Sequence, residues 1–169
     1  MGVTIHFYGR LKNKESLDEV ITIASEFAAE KGCEVINLDS EKKQLFRVKG
    51  GRQSEYEGPV RGIQFHPDEN CDPFALEFDD DLYIQQFCKT QYAGISTHVE
   101  VIQLLRDIEP CFETFVVLDE GDFWETSDIS TLEQRFETNF AAAEEMKKEN
   151  PKLKGPIRLM NGRILDLIG

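Results

Sequence analysis

The sequence predicts a single α+β domain over residues 1–169, with a mixed, mostly antiparallel sheet and about three helices packed on it. Two observations favour this class. Segments with strand patterns cluster between the first two helical segments instead of alternating with helices. A chain of 169 residues, 40% of them hydrophobic, is also long enough to bury one sizeable core. A ferredoxin-like arrangement in two loosely similar halves is one version of this fold.

The first strand and the first helix have clear patterns. Apolar and polar residues alternate over residues 3–8, which is typical of a half-buried strand. Apolar residues then recur three and four apart over residues 17–28, as on one face of a helix. Ser16 and Glu19 fit a capping box at the start of this helix, and Gly32 fits a left-handed stop at its end.

Five short strands are predicted after the first helix. They cover residues 34–38, 44–48, 61–65, 74–78 and 82–89. A polar turn at residues 39–43 joins the first two of them. Residues 49–59 contain three glycines, one proline and no aliphatic residue, so we predict a long loop there. Two prolines bound residues 66–73, which indicates a turn.

Two further helices follow. The second covers residues 97–108 and begins at Thr97, with Glu100 as its capping-box partner. An apolar strand at residues 115–118 and a charged loop at residues 119–128 come next. The third helix begins at Ser130 and ends before Pro151. Its predicted buried stripe consists of Leu132, Phe136, Phe140, Ala143 and Met146.

A β-hairpin is predicted at the C-terminal end of the chain. Apolar segments at residues 157–160 and 163–168 flank the dipeptide Asn161-Gly162. This dipeptide favours a type I′ turn, because both central residues of that turn have positive φ.

The net charge of −13 is concentrated in the middle of the chain. Residues 66–150 hold 21 of the 32 acidic residues and five of the 19 basic ones. This balance argues against binding to nucleic acid or to anionic membranes, because both need cationic contacts. We interpret the chain as a non-enzymatic interaction or regulatory module, of an inhibitor or immunity type, that presents an acidic face to a basic protein or peptide. Solubility alone is the other explanation of the charge.

Two acidic segments, residues 79–81 and residues 119–125, are expected to form this face. Residues 119–125 follow a strand and precede a helix, which is a common position for functional loops. Trp124, the only tryptophan, would be the aromatic anchor, and packing on the core is its alternative role. The predicted binding residues are Asp79, Asp80, Asp81, Asp119, Glu120, Asp122, Trp124 and Glu125.

Two other functions remain open at this stage. A small-molecule binder or an enzyme would use a cleft with His66, Cys71, Lys89 and His98, if the fold brings them together. A structural subunit that completes an oligomer is the third possibility. The sequence contains no HExxH, HxH or CxxC pair, no GxSxG elbow and no phosphate-binding loop, so we predict neither a metal nor a cofactor.

The expected location is the cytoplasm. No stretch approaches the 18 apolar residues typical of a membrane span, and residues 1–10 lack the pattern of a signal peptide. Four cysteines without an export signal are typical of reduced thiols.

Overall fold

The computed structural model describes residues 2–169 and confirms the α+β class. The strands are β1 (Thr4–Leu11), β2 (Ile36–Lys49), β3 (Arg52–Phe65), β4 (Phe74–Phe78), β5 (Tyr83–Lys89), β6 (Phe112–Asp119), β7 (Ile157–Arg158) and β8 (Ile164–Leu165). The helices are α1 (Lys14–Glu30), α2 (Ile95–Ile108), the short α3 (Phe123–Thr126) and α4 (Ile129–Glu149), with a 3₁₀ turn at Glu109–Cys111.

The strands form two three-stranded sheets and one short hairpin. The first sheet has the strand order β5-β1-β6, and the second has the order β2-β3-β4. The hairpin consists of β7 and β8. Every strand pair within residues 2–169 is antiparallel, so the parallel component that a mixed sheet would contain is absent from this part of the chain.

Strands β4 and β5 lie side by side where the two sheets meet. The Asp79 N–H donates to the Tyr83 carbonyl at one end, and the Asp72 N–H donates to the Lys89 carbonyl at the other, both at 3.0 Å. The elements β1, α1, β4, β5, α2 and β6 therefore follow the β-α-β-β-α-β order of a ferredoxin-like fold. The β2–β3 hairpin is inserted after the first helix.

Helices cover one face of the first sheet and leave the other face open. Side chains alternate between the two faces of a strand. In β1, Ile5 and Phe7 are fully buried and belong to the same apolar cluster as the inner faces of α1 and α2. His6 and Tyr8 lie on the opposite face, which no helix covers, and are only half-buried.

Aromatic rings join both sheets to the first helix. Phe7 of the first sheet stacks on Phe74 of the second, with ring centroids 5.5 Å apart. Phe74 contacts Phe65 at 5.4 Å, and Phe65 contacts Phe27 of α1 at 5.8 Å. Because large aromatic side chains bury much apolar area, this chain of rings contributes strongly to the free energy of folding.

The segment between α1 and β4 differs from the prediction. The strands predicted at residues 34–38 and 44–48 are one strand, and residues 52–59 of the predicted loop at 49–59 belong to β3. The chain turns at Gly50–Gly51, where both residues have positive φ (57° and 75°). The predicted turn at residues 39–43 is a register irregularity within β2. Most of this hairpin lies beyond the core, so its residues need not alternate between apolar and polar.

Three predicted helix starts are displaced toward the N-terminus. Asn13, not Ser16, caps α1, because its side chain accepts a hydrogen bond from the Ser16 N–H at 2.9 Å. The helix α2 begins two residues before Thr97 and has no side-chain cap. Asp128, not Ser130, caps α4 by accepting from the Ser130 N–H at 3.1 Å. In both α1 and α4, the residue predicted as the cap instead donates its N–H to the side chain of the residue that caps the helix.

The last two elements agree with the prediction only in outline. In α4, Leu132 and Phe136 are buried, but Phe140 and Met146 are 41% and 37% exposed, so the second half of the helix extends beyond the core. The hairpin at residues 161–162 is confirmed. Only its Gly162 has positive φ (85°), so the turn is not of type I′.

The cap of α1 allows a direct test. We expect Asn13→Ala to lower the free energy of unfolding by about 1 kcal/mol, since an orphaned helix N–H loses its acceptor. Asn13→Asp should retain the stability, and the exposed neighbour substitution Lys12→Ala is the control. Urea unfolding followed by circular dichroism measures all three. Equal stability of Asn13→Ala and Lys12→Ala would contradict the assignment.

Candidate functional site

A groove runs between the open face of the first sheet and the outer part of the β2–β3 hairpin. We call residues 43–58 the arm, since they form the part of this hairpin beyond the register irregularity. The groove has a volume of about 650 Å³, within the range of roughly 300–1,000 Å³ found for ligand sites. Its floor includes His6, Phe87 and Leu118, and the inner side of the arm forms its wall.

The register of the first sheet brings these floor residues together. His6 of β1 lies opposite Phe87 of β5 on one side and opposite Leu118 of β6 on the other. Directly opposed side chains lie on the same face of a sheet, so the three form a row across it. Phe87 is 40% exposed and Leu118 is 55% exposed, and Phe46 of the arm is 74% exposed. The groove is therefore mainly apolar and open to solvent.

Three cationic side chains border the groove, and each has a buried carboxylate partner. Because an unpaired buried carboxylate is costly, each acid needs a cation or several hydrogen-bond donors. The walls of the groove therefore carry little excess charge. The pairs are Lys43 with Glu77, Arg47 with Asp79 (3.8 Å) and Arg163 with Asp72 (3.4 Å).

The arm is fastened to β5 by side chains. The Gln85 amide donates to the Val48 carbonyl at 2.8 Å and accepts from the Val48 N–H at 2.7 Å. The Lys49 ammonium lies 4.4 Å from the centre of the Tyr83 ring. The buried Arg47 donates only to the Gln85 carbonyl, at 3.4 Å, and its Nε and Nη2 have no hydrogen-bond partner within residues 2–169. The arm is thus held by few and partly imperfect contacts.

One end of the groove is acidic. Glu120 and Glu125 line a shallow depression that adjoins the groove through His6 and Leu118. Partial burial opposes ionisation of Glu120, but the nearby His6 and the hydrogen bond from the Thr4 N–H outweigh it and lower its pKa. Glu125 has no ion-pair partner among the described residues. This end therefore carries negative charge that His6, 3.9 Å from Glu120, balances only when it is protonated.

The two predicted acidic segments lie far apart. The turn with Asp79, Asp80 and Asp81 adjoins the end of β1, where the Leu11 N–H donates to the Leu82 carbonyl. The segment after β6 adjoins the start of β1. Eight strand residues at about 3.3 Å each separate the two segments by more than 20 Å.

Several predicted binding residues are not available to a partner. The Asp79 carboxylate is buried and accepts from the N–H groups of Asp81 and Tyr83. Asp122 is engaged by Arg135 at 2.6 Å. Trp124 is half-buried and packs edge-on against Phe115, with ring centroids 6.3 Å apart. Exposed carboxylates remain on Asp80, Asp81, Glu120 and Glu125.

Asp119 belongs to the interior of the protein. Its carboxylate accepts from the N–H groups of Gly121 (2.7 Å), Phe123 (2.8 Å) and Trp124 (2.9 Å), and His98 Nε2 lies 3.1 Å away. Burial opposes ionisation, but the hydrogen bonds from His98 and from the backbone outweigh it and lower the pKa of Asp119. This residue therefore orders the loop that follows β6.

The residues of the alternative cleft are not brought together. His98 Nδ1 contacts the Thr90 hydroxyl at 2.7 Å, and both side chains are fully buried, so this Thr-His-Asp cluster has no access to a substrate. The Cys71 sulfur lies in the core, 3.6 Å from the sulfur of Cys88. Lys89 bonds instead to the C-terminal hairpin, through the Ile164 carbonyl and the Asp166 carboxylate, and the half-buried His66 lies beside Gly162 of the same hairpin.

The residue pattern alone does not predict the groove. Its floor residues are separated by about thirty to more than a hundred positions, and only the strand register shows that they are neighbours. A partial signal was present, because Phe87 belongs to the alternating segment predicted as a strand. The arm that forms the wall is predicted from the sequence as a short strand at residues 44–48 followed by a loop, so its length is not evident.

Comparisons with known proteins do not add to this description. The chain matches no family model, no curated protein and no solved structure. Across the described residues, no helix is both long and apolar enough to cross a membrane. Between positions 2 and 169, no three histidine, cysteine or acidic side chains are grouped as a metal site would require.

We expect Asp119→Asn to lower the free energy of unfolding by about 3 kcal/mol, since the amide adds a donor where three N–H groups converge. The matched control is Asp122→Asn, at a surface pair worth less than about 1 kcal/mol. Chemical unfolding at neutral pH measures both. Similar losses in the two variants would contradict the interior role of Asp119.

The same carboxylate predicts a pH dependence. The folded-state pKa of Asp119 lies below its ordinary value of 3.8. Its contribution to stability is thus complete above about pH 4 and is lost as the pH falls through the folded-state pKa. In unfolding titrations from neutral to acidic pH, the wild type should therefore lose stability more steeply below about pH 4 than Asp119→Asn. Parallel curves would count against this assignment.

Proposed function

We propose that this protein is a non-enzymatic interaction module, of an inhibitor or regulatory type, that binds a basic and partly apolar segment of a partner protein in the groove. One observation carries the proposal: an open apolar sheet face ends at exposed carboxylates. Exposed contiguous apolar surface of this kind marks interaction sites in soluble proteins.

The apolar floor supports binding of a hydrophobic side chain. Phe87 and Leu118 lie on either side of His6 in one row across the sheet, and both are substantially exposed. Fully burying an exposed side chain of this size contributes about 1.5–3 kcal/mol, and covering the exposed part of each contributes roughly half of that. Aromatic and aliphatic groups at the centre of an interface commonly provide most of its binding free energy.

The charge supports a basic partner. The cations that border the groove are matched by Glu77, Asp79 and Asp72, whereas Glu120 and Glu125 remain available at the acidic end. The net charge of −13 would also attract a basic partner over a longer range and speed its association at low salt.

The site differs from the surface expected from the sequence. Glu120 and Glu125 are still expected to contact the partner. Asp119 and Asp79 instead stabilise the fold that positions the groove. Trp124 is replaced as the aromatic anchor by Phe87.

Selection of random peptides displayed on phage tests this function. We expect selected peptides to combine lysine or arginine with an aromatic or aliphatic residue. Fluorescence anisotropy should show that Leu118→Ser and Glu125→Lys each lower the affinity for these peptides about tenfold or more. Glu125→Lys should also slow their association.

The matched control is Glu145→Lys, the same charge change on the exposed surface of α4. Its affinity should stay close to that of the wild type. Selected peptides without cations, or equal effects of Glu125→Lys and Glu145→Lys, would refute binding at the groove.

A further inference from the structure

The arm carries the features expected of an occupant of the groove. Its tip, residues 47–53, contains three cationic residues and no acidic one. Lys49 and Arg52 are exposed, and no carboxylate lies within ion-pair distance of either among residues 2–169. Next to them, Phe46 and Val48 are 74% and 51% exposed. An apolar pair beside two exposed cations that lack a carboxylate partner among the described residues matches the segment that the groove is proposed to bind.

Within one copy, the arm tip cannot reach the acidic end of the groove. Lys49 lies over Tyr83, which is paired with Arg10 toward the end of β1. Glu120 lies beside Thr4 at the start of the same strand. The groove therefore has a cationic end at the arm tip and an acidic end more than about 15 Å away along β1.

A two-fold axis across the groove would place unlike ends opposite each other. Such an interface is self-complementary, so each contact of one arm with the partner's groove occurs twice. The antiparallel arrangement sets the arm tip of each copy beside the acidic end of the other. Asp80 and Asp81 lie in the turn near the cationic end, where the Asp80 N–H donates to the Tyr56 hydroxyl of the arm at 3.1 Å.

We propose that the groove is occupied by the arm of a second copy of this chain, in a two-fold symmetric dimer. Lys49 and Arg52 of one copy face Glu120 and Glu125 of the other, and Phe46 packs on the apolar floor. This inference rests on the proposed function of the groove as a docking surface and identifies its resting occupant.

The exposed apolar surface supports a second copy as the occupant. Of the thirteen large hydrophobic side chains within residues 2–169 that are more than one-third exposed, five lie on the arm or on the open face of the first sheet: Phe46, Val48, Phe87, Val116 and Leu118. A contiguous exposed apolar patch of this kind commonly marks an interaction site. A symmetric contact would cover the set on both copies at once.

An exchange of charge between two variants tests the dimer. The first variant carries Lys49→Glu and Arg52→Glu, and the second carries Glu120→Lys and Glu125→Lys. Each variant alone brings like charges together at both contacts, so we expect sedimentation velocity to show monomers. In an equimolar mixture, every contact again joins unlike charges, and a heterodimer should form that weakens as salt is added.

A second pair of variants keeps the test valid if the charge-reversing substitutions disturb folding. Phe46→Ser should shift the wild-type dimer toward monomer, because it removes apolar contact from an exposed position. The control Phe140→Ser changes an exposed phenylalanine on α4 and should leave the dimer intact. Thermal unfolding of each variant verifies that the fold is retained.

The outcomes distinguish this inference from the proposed function. A wild-type monomer at micromolar concentration that still binds the selected peptides would overturn the dimer and leave the function. Folded variants that stay monomeric when mixed would overturn the arm-to-groove arrangement. The third outcome is a dimer that forms when the variants are mixed, combined with a groove that binds no peptide even in the Lys49→Glu, Arg52→Glu monomer. This outcome would confirm the inference and refute the proposed function.

Discussion

Buried carboxylates hold this structure together at the places where strand ladders do not. Asp72 accepts hydrogen bonds from the N–H groups of Lys89 and Ile164, and so joins β5 to the C-terminal hairpin. Asp79 closes the turn before β5, and Asp119 orders the loop after β6. A buried carboxylate without donors would be strongly unfavourable, so each one fixes the segments that surround it. Glu77 does the same for the base of the arm through Lys43.

This constraint explains why four of the 21 acidic residues in the middle of the chain, Asp72, Glu77, Asp79 and Asp119, are buried. The number of acidic residues in the middle of the chain, taken alone, suggests a recognition face. Their partners, such as Arg47 for Asp79 and Arg163 for Asp72, come from distant parts of the sequence. Composition does not show which acids are enclosed by such partners. The short stretch of Glu120 and Glu125 is the part of the predicted surface that stays beside the apolar groove.

Elements with one buried face could be predicted from their residues. The alternation at residues 3–8 and the stripe at residues 17–28 identified β1 and α1, since each presents a single face to the core. Within the arm, only residues 44–48 carry a strand pattern. Residues 49–58 are mostly exposed, and their glycine-rich composition resembles a loop. The groove depends on a register between β1, β5 and β6 that only the folded chain defines.

The matched pairs around the groove have an evolutionary consequence. Replacing one partner of Arg163 and Asp72, or of Arg47 and Asp79, strands a charge in the interior, whereas replacing both can restore balance. Descendants of this chain should therefore change the two members of each pair together. Correlated substitution would thus identify the pairs on which the scaffold depends.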